Sequence, residues 1–383
     1  MKLLFLINEF GRGGAERVVS LLLQHLPTRL PDSKFSLYLL DKSEISYPLP
    51  KSIEIYIASK RHHSNLAKFL NIFALARQVK KYIKENNIDI VISFLTRANY
   101  VNVLSKLYGA GHETIISERN TPGIIYNTGT VSGAINRLFI RRLYARCDKI
   151  IAVSTGVKND LEKNFNIPPE IIEVIYNPFD SGAIEKSALQ SVEHRWLGKN
   201  ALKTVISLGR LEKQKNHQLL LNAFCRTLKK IPQARLIIIG EGRERSALNR
   251  LSRELKIDTK IDLIGQMEDP FPYLARADLF VLSSIAEGFP NALVEAMICA
   301  CPVISTDCPS GPNEIIINKD HGILVPLNNA EALSKAMIML LNDETLRINM
   351  KKNAKKRSNA FALKRIINQY ADLLMNTEKY SHN

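Results

Sequence analysis

Strand-like and helix-like segments alternate along the chain, and this alternation restricts the fold to α/β classes with parallel sheets. In the first half, the predicted strands are 3–8, 35–40, 53–58, 88–95, 114–118, 149–154 and 172–176. The predicted helices of that half are 15–26, 66–85, 99–108, 132–146 and 156–165. A polar stretch with Pro and Gly, 177–182, then interrupts the pattern and predicts a linker.

The alternation restarts after the linker and predicts a second doubly wound unit. Its predicted strands are 204–208, 234–240, 261–264, 279–283, 303–306 and 322–325. Its predicted helices are 217–230, 243–255, 291–298 and 330–341, and two more follow at 345–358 and 361–380. We therefore expect domains over 1–180 and 181–360. Ligands of such sheets bind outside the carboxyl ends of the strands.

Composition and length are those of an ordinary folded protein. The chain has 383 residues, of which 45% are hydrophobic and 23% are charged, so each half can bury a core. No apolar run approaches the ~18 residues of a membrane span, and the run at 3–7 is too short for a secretory signal. A cytoplasmic protein is expected. The five cysteines lack metal-site spacing and predict buried free thiols.

The net charge of +16 is unevenly distributed. The basic surplus lies in residues 1–180 and 349–383, while 181–348 are nearly neutral. A basic face indicates an anionic partner, which would be nucleic acid, anionic lipid or a phosphate-bearing substrate. No nucleic-acid-reading motif or basic patch with interleaved aromatics is present, so nucleic acid is not expected.

Two predicted helices combine basic and apolar side chains. The basic members are Lys68, Arg77, Lys80, Lys81 and Lys84 on the first, and Arg137, Arg141, Arg142 and Arg146 on the second. Such helices can lie on an anionic membrane surface, although a core face opposite a solvated face explains either helix alone. Together with the charge distribution, they favour a lipid-linked partner.

The segment Glu287-Gly-Phe-Pro-Asn-Ala-Leu-Val-Glu295 places two carboxylates either side of a turn that opens a helix. The turn follows the predicted strand 279–283, and Pro290 suits the first turn of the helix. A helix N-terminus attracts phosphate through its N–H groups and partial positive charge. Two acids beside an anion site suit a ligand with hydroxyls at both ends and phosphate in the middle, such as a nucleotide sugar.

This segment resembles the E-x7-E motif of the retaining GT-B glycosyltransferases, in particular glycosyltransferase family 4. The resemblance implies two Rossmann-like domains facing across a cleft, with a C-terminal helix, 361–383, returning to the N-terminal domain. It places Glu287 near the transferred sugar and the reaction centre, and Glu295 on the ribose hydroxyls. Backbone groups between them would meet the sugar hydroxyls and the β-phosphate: Phe289, Pro290, Asn291, Ala292 and Leu293.

Two further segments of the second half are similar to the family's donor-binding motifs. Gly209-Arg-Leu-Glu-Lys-Gln-Lys-Asn216 resembles the segment whose Arg and Lys hold the donor diphosphate, which implies that role for Arg210 and Lys215. Fixed cations there stabilise the charge that grows on the leaving diphosphate. The turn around Glu241 resembles the family's G-x-G turn near the base, but an ordinary strand-to-helix turn explains it equally well.

Two segments of the first half of the chain also resemble motifs of the family. Gly13, Gly14 and Glu16 match the G-G-(A/T)-E segment that lies against the donor phosphates and the acceptor. Glu118-Arg119-Asn120 stands where many members carry a donor-contacting His, which leaves that role unfilled. This variant resembles a subgroup that adds hexoses or N-acetylhexosamines to polyprenyl-diphosphate-linked glycans, and it implies acceptor or cleft positions.

The resulting hypothesis is a retaining glycosyltransferase of surface polysaccharide biosynthesis, peripheral to the inner face of the cell membrane. It would move GalNAc, another N-acetylhexosamine or a hexose from a UDP-sugar to a polyprenyl-diphosphate-linked glycan. Because no Asp-x-Asp occurs, no metal or cofactor is expected. A sugar-nucleotide epimerase and a non-catalytic basic binding or scaffold protein on the same fold are the alternatives. The donor sugar, the acceptor linkage and the oligomeric state stay open.

Overall fold

The structure, a computed structural model, describes residues 1–58, 71–127, 129–198 and 202–381. The chain divides into two compact units. Unit 1 comprises Met1–Pro178 and the C-terminal segment from Leu363, and unit 2 comprises Phe179–Ala362. Part of the helix predicted over 66–85, including Lys68, lies outside the described residues.

Unit 1 is built on a parallel sheet with the strand order β3-β2-β1-β4-β5-β6-β7. The strands are β1 (Lys2–Ile7), β2 (Lys34–Leu39), β3 (Glu54–Ile57), β4 (Ile90–Phe94), β5 (Glu113–Glu118), β6 (Lys149–Ala152) and β7 (Ile172–Val174). The helices are α1 (Gly14–His25), α2 (Ile72–Asn86), α3 (Thr96–Leu107), α4 (Pro122–Ile125), α5 (Val131–Leu143) and α6 (Thr155–Phe165). Continuous apolar runs form the central strands because both faces of the sheet are covered.

Unit 2 is also built on a parallel sheet, with the strand order β10-β9-β8-β11-β12-β13. Its strands are β8 (Lys203–Leu208), β9 (Ala234–Ile239), β10 (Ile261–Gly265), β11 (Leu279–Leu282), β12 (Val303–Thr306) and β13 (Ile323–Val325). Its helices are α7 (Ser181–Ala188), α8 (His217–Leu228), α9 (Arg245–Glu254), α10 (Phe271–Arg276), α11 (Asn291–Ile298), α12 (Pro312–Ile315), α13 (Ala330–Asn342) and α14 (Glu344–Ser358). The strand order reverses between β8 and β11, which pair in parallel, and ligands of doubly wound sheets bind at such a point.

The last helix, α15 (Leu363–Ser381), belongs to unit 1 although it follows unit 2 in the chain. Its buried residues Ile366, Tyr370 and Leu374 recur every four positions and join the core that contains β1 and α1. The core of unit 1 is therefore assembled from both ends of the chain.

A buried polar cluster holds the carboxyl end of β5. Glu118 has no exposed surface, and its Oε1 accepts the backbone N–H groups of Arg119 at 2.9 Å and of Asn120 at 3.1 Å. Its Oε2 accepts the hydroxyl of Tyr144 at 2.6 Å, and that hydroxyl accepts a bond from Asn99 at 3.1 Å. Burial raises the pKa of Glu118 to about 7, against the lowering effect of these bonds.

Some elements differ from those predicted. The predicted linker 177–182 already contains the start of α7, because the side chain of Asp180 accepts the N–H of Ala183 at 3.0 Å and caps that helix. Helix α10 was not predicted either, since a six-residue helix beginning beside Pro270 carries too little periodicity. The cysteines are free, and all but Cys225 are buried, as predicted. Within the described residues, no helix combines the length and apolarity that crossing a bilayer requires.

Replacing Leu374 by Ala is expected to lower the free energy of unfolding of unit 1 by about 2–5 kcal/mol, because a fully buried leucine is truncated. The neighbouring Met375 is 41% exposed, so Met375→Ala is the matched control and should change it by less than about 0.5 kcal/mol. Hydrogen exchange of peptides from β1 measures the difference. Equal effects of the two variants would contradict the assignment of α15 to this core.

Replacing Glu118 by Gln is expected to change how the stability of unit 1 depends on pH. The folded-state pKa of Glu118 is raised above that of the unfolded chain, so the folded state binds the extra proton and wild-type stability falls as pH rises from about 4.5 to 7. Glutamine has the same shape as glutamate and can make similar hydrogen bonds, but it does not titrate, so the variant does not lose stability over this pH range. Its stability relative to the wild type should therefore increase over that window, by at most about 3 kcal/mol. Hydrogen exchange of β5 peptides between pH 5 and 8 tests this, and a constant difference would refute it.

Candidate active site

The loop between β11 and α11 carries Glu287, and α11 carries Glu295. Both carboxylates are largely buried, with 7% and 6% of the residue exposed. The turn before the helix is tight because Gly311, with φ +91°, lies against it: a Cβ there would come within 2.6 Å of Pro290 Cδ. Only glycine permits this approach. Gly311 was missed from the sequence, although its place in a Ser-Gly-Pro turn after β12 marks it as special backbone.

The segment after β8 lies beside this loop, because β8 and β11 are paired neighbours. The ammonium of Lys215 is 2.5 Å from Oε1 of Glu287, and both side chains are mostly buried. The aliphatic stem of Lys215 passes Gly209, where a Cβ would be 3.4 Å from Cδ and Cε. Arg210 is exposed on the same segment. The structure therefore brings together Lys215 and Glu287, which lie 72 residues apart in sequence.

The N-terminus of α11 comes directly after the loop that carries Glu287. The N-cap residue of the helix is Pro290, whose side chain makes no capping hydrogen bond. The ring of Phe289 packs on Phe361 at 5.2 Å between centroids and on Phe179 at 6.5 Å, which anchors the turn. Of the predicted backbone contacts, the N–H of Leu293 donates to the carbonyl of Pro290 at 3.0 Å and so already has a partner within the helix. The predicted contacts at Asn291 and Ala292 fall on the first two residues of α11.

The turn around Glu241 has a packing reason for its glycines. Gly240 has φ +150°, and a Cβ on it would lie 2.0 Å from the carbonyl oxygen of Gly209. The two backbones therefore touch where β8 and β9 end. The carboxylate of Glu241 pairs with Arg245 at 2.6 Å and is about half exposed. This geometry explains the turn without a ligand.

The predicted residues of unit 1 gather at the carboxyl ends of β1 and β5. Gly13 is the N-cap of α1, Gly14 is its first residue, and the carboxylate of Glu16 folds back over Gly13. Arg119 is buried, and its guanidinium donates to the side-chain oxygen of Asn177. Burial lowers the pKa of Arg119, while Tyr370 and, to a smaller extent, the charges of Glu118 and Glu16 act in the opposite direction.

The site residues thus form one set in each unit. In unit 2, the carboxylate–ammonium pair lies on the loop before α11 and on the segment beside it, and the second carboxylate lies about one turn into α11. A helix N-terminus next to such groups is a combination that can hold a phosphate beside hydroxyl groups. In unit 1, Glu118 and Arg119 are buried and Asn120 is partly exposed, as is Gly13, while Gly14 is exposed. Across the described ranges, no group of three or more His, Cys, Asp or Glu is arranged to hold a metal ion.

Two family models match the chain, one over each unit. The model of Glycosyltransferase Family 4 matches residues 12–182, and the model of Glycosyl transferases group 1 matches residues 193–357. The second match contains the whole set of unit 2, and the first contains the set of unit 1.

Curated relatives cover nearly the whole chain. A Campylobacter jejuni protein named N-acetylgalactosamine-N,N'-diacetylbacillosaminyl-diphospho-undecaprenol 4-alpha-N-acetylgalactosaminyltransferase is 35% identical over 94% of this chain and 95% of its own length. The amylovoran biosynthesis glycosyltransferase AmsD of Erwinia amylovora is 26% identical over 97% of this chain and 99% of its own.

Solved structures agree on the fold. Anabaena HepE in complex with UDP superposes with a TM-score of 0.79 at 21% identity, covering 98% of this chain and 100% of that one. WaaG, a glycosyltransferase of lipopolysaccharide biosynthesis, superposes with a TM-score of 0.78 at 16% identity, covering 97% of this chain and 99% of that one. At these identities the likeness establishes the fold, which is GT-B.

The family excludes the epimerase and scaffold alternatives, since the relative that is 35% identical over 94% of the chain is a glycosyltransferase. The chain belongs to the GT-B glycosyltransferases, with a Glycosyltransferase Family 4 domain followed by a Glycosyl transferases group 1 domain.

Proposed function

We propose that this protein transfers a sugar from a UDP-sugar to a polyprenyl-diphosphate-linked glycan, with retention of the anomeric configuration and without a metal ion. An N-acetylhexosamine such as GalNAc is the favoured donor sugar, and a hexose is the second choice. Unit 2 binds the nucleotide sugar and unit 1 carries the acceptor residues. The product is an intermediate of a surface polysaccharide or glycan.

The proposal rests on the similarity over nearly the full length of a glycosyltransferase named for a lipid-linked glycan. The Campylobacter relative that is 35% identical is named for adding N-acetylgalactosamine to an undecaprenyl-diphosphate glycan. A second Campylobacter protein, named an alpha-1,4-N-acetyl-D-galactosaminyltransferase on a longer glycan of the same lipid, is 27% identical over 98% of this chain. Both support the substrate class, and neither determines the sugar.

The chemistry of unit 2 supports a nucleoside diphosphate as the leaving group. Lys215 and the exposed Arg210 supply two cations on one segment, and the N-terminus of α11 adds the partial positive charge of the helix. These charges stabilise the diphosphate most as the glycosidic bond breaks. They take the part that a divalent ion plays elsewhere, which supports metal independence.

The transfer is proposed to occur on one face of the sugar. The acceptor hydroxyl oxygen bonds to the anomeric carbon as the bond from that carbon to the β-phosphate oxygen breaks. The hydroxyl proton passes to the departing phosphate, so UDP is released and the configuration is retained. Glu287 is assigned to the sugar side of the site and not to nucleophilic attack, because its Oε1 is engaged by the ammonium of Lys215.

A surface on α2 and α5 supports peripheral binding at the inner face of the cell membrane. Val131 is 78% exposed, Leu138 is 50% exposed, and Phe73 on α2 is 38% exposed beside α5. Arg141 and Arg142 are exposed on the same helix. Apolar side chains flanked by cations suit an anionic lipid surface.

The direct test is transfer by the purified protein from a panel of UDP-, GDP- and TDP-sugars, with a bacterial lipid extract as acceptor, with and without EDTA. We expect one UDP-sugar to label the lipid fraction equally in both conditions, and the new linkage to keep the donor's configuration by NMR. Activity abolished by EDTA would refute metal independence, and an inverted product would refute retention. Absence of binding to any nucleotide would refute the proposal.

Replacing Glu295 by Gln should weaken UDP and uridine binding alike, by about tenfold, because the ribose is common to both and a charged acceptor is lost. Isothermal titration with the two ligands measures this. Glu331→Gln, on the exposed surface of α13, is the control and should leave both affinities unchanged. Unaltered affinities in the Glu295 variant would contradict its ribose role.

Replacing Leu138 by Glu should reduce binding to vesicles of phosphatidylglycerol and phosphatidylcholine by about tenfold or more, through lost apolar burial and added negative charge. Leu189, which is 83% exposed in unit 2, provides the control Leu189→Glu. Co-sedimentation measures both variants. A Leu138 variant that binds like the wild type, or a control that loses binding equally, would argue against this surface.

A further inference from the structure

The loop that carries Glu287 and the segment that carries Lys215 are hydrogen-bonded to each other along their facing edges. The bonds run from Ile285 N–H to Gln214 carbonyl oxygen (2.9 Å), from Gln214 Nε2 to Ala286 carbonyl oxygen (2.7 Å) and from Ser283 Oγ to Lys215 carbonyl oxygen (2.9 Å). Two of the three use the backbone or side chain of Gln214. Gln214 therefore fixes the distance between the two segments through both its backbone carbonyl and its side-chain amide.

Ser284 acts on the carboxylate itself. Its hydroxyl donates to Oε1 of Glu287 at 2.5 Å, the same oxygen that the ammonium of Lys215 approaches at 2.5 Å. Ser284 has no exposed surface, and its own carbonyl accepts the hydroxyl of Thr306 at 2.6 Å. One carboxylate oxygen is therefore held from two directions, by Ser284, which follows β11, and by Lys215, on the segment after β8.

Lysine needs such support more than most side chains. Its four-carbon stem carries about 2 kcal/mol of rotamer entropy, and its ammonium has no directional fork to fix it. Here the stem is guided past Gly209 and the ammonium ends on a carboxylate whose own orientation is fixed by Ser284. The position of the Lys215 charge therefore depends on Ser284 and Gln214, although neither contributes a charge.

We propose that Gln214 and Ser284 are positioning residues, which act through Glu287 and Lys215 to keep the carboxylate and the ammonium aligned with the breaking bond. This role rests on the proposed function, because that function assigns Lys215 to the donor diphosphate. Neither residue is expected to contact the sugar. Their effect should appear mainly in the transition state, where misplacement by about 1 Å can cost up to about 100-fold in rate.

The test combines Ser284→Ala and Gln214→Ala with the conservative Ser284→Thr. Ser334→Ala is the control for a buried serine of the same unit, whose hydroxyl bonds to Thr227 at 3.0 Å. Gln218→Ala is the control for the glutamine, since its amide bonds to Glu244 on the exposed surface at 3.2 Å. For each variant, kcat and the KM for the donor are measured separately.

We expect kcat to fall about tenfold or more in both alanine variants, with the donor KM changed less than about threefold. Ser284→Thr, which keeps the hydroxyl, should recover most of kcat, and both controls should retain wild-type values. A kcat within twofold of the wild type in the alanine variants, or an equal loss in the controls, would overturn the proposal.

Hydrogen exchange separates this proposal from the proposed function, because it requires no substrate. In both alanine variants, peptides covering 209–218 and 280–290 should exchange faster than in the wild type, while peptides of β9 stay unchanged. Faster exchange supports the positioning role even if no donor is turned over. Unchanged exchange in both peptides overturns it whether or not the enzyme is active.

Discussion

The ion pair between Lys215 and Glu287 is the contact on which the arrangement of unit 2 depends. It joins two loops that follow neighbouring parallel strands, β8 and β11, at the point where the strand order reverses. Mostly buried charges of opposite sign are tolerated only when they are paired and hydrogen-bonded, so the loops must stay together. The bonds of Gln214 and Ser284 meet this requirement. The loop that carries Glu287 leads directly into the N-terminus of α11, whose N-cap residue is Pro290.

Unit 1 also contains buried charged residues, but they are stabilised by different contacts. Its charged residues at the end of β5 are turned inward, where Glu118 fastens the following backbone and Arg119 is compensated by nearby carboxylates. A buried carboxylate with two backbone N–H donors makes the loop rigid without contacting a substrate. Asn120, which follows the two buried residues and is partly exposed, is left as the member of this trio that can contact a ligand. The helix α15 packs into the hydrophobic core of unit 1, so the C-terminal segment stabilises this unit.

Sequence patterns predicted the strands and most helices because a parallel sheet buried on both faces requires long apolar runs. They also placed Glu287 on a loop and Glu295 in a helix. Short elements such as α10 were missed, since six residues carry too little periodicity. Gln214 was missed because its side chain bonds to a residue 72 positions away, which no local pattern shows. Ser284 was missed because its bond to Glu287 matters only through the contact of Glu287 with Lys215, which is equally distant in the chain. Likewise, the sequence put Glu118 at the end of a strand but could not indicate that its carboxylate points inward.

The diphosphate site proposed for unit 2 is tested by comparing UDP with uridine binding in the wild type, Arg210→Ala and Lys215→Ala by isothermal titration. Two cations aimed at a diphosphate predict that the wild type prefers UDP strongly and that each variant loses about tenfold or more of this preference. Uridine affinity should be unchanged in Arg210→Ala, whose side chain is exposed. If both variants kept the full preference for UDP over uridine, or the wild type had none, the diphosphate site assigned to unit 2 would be wrong.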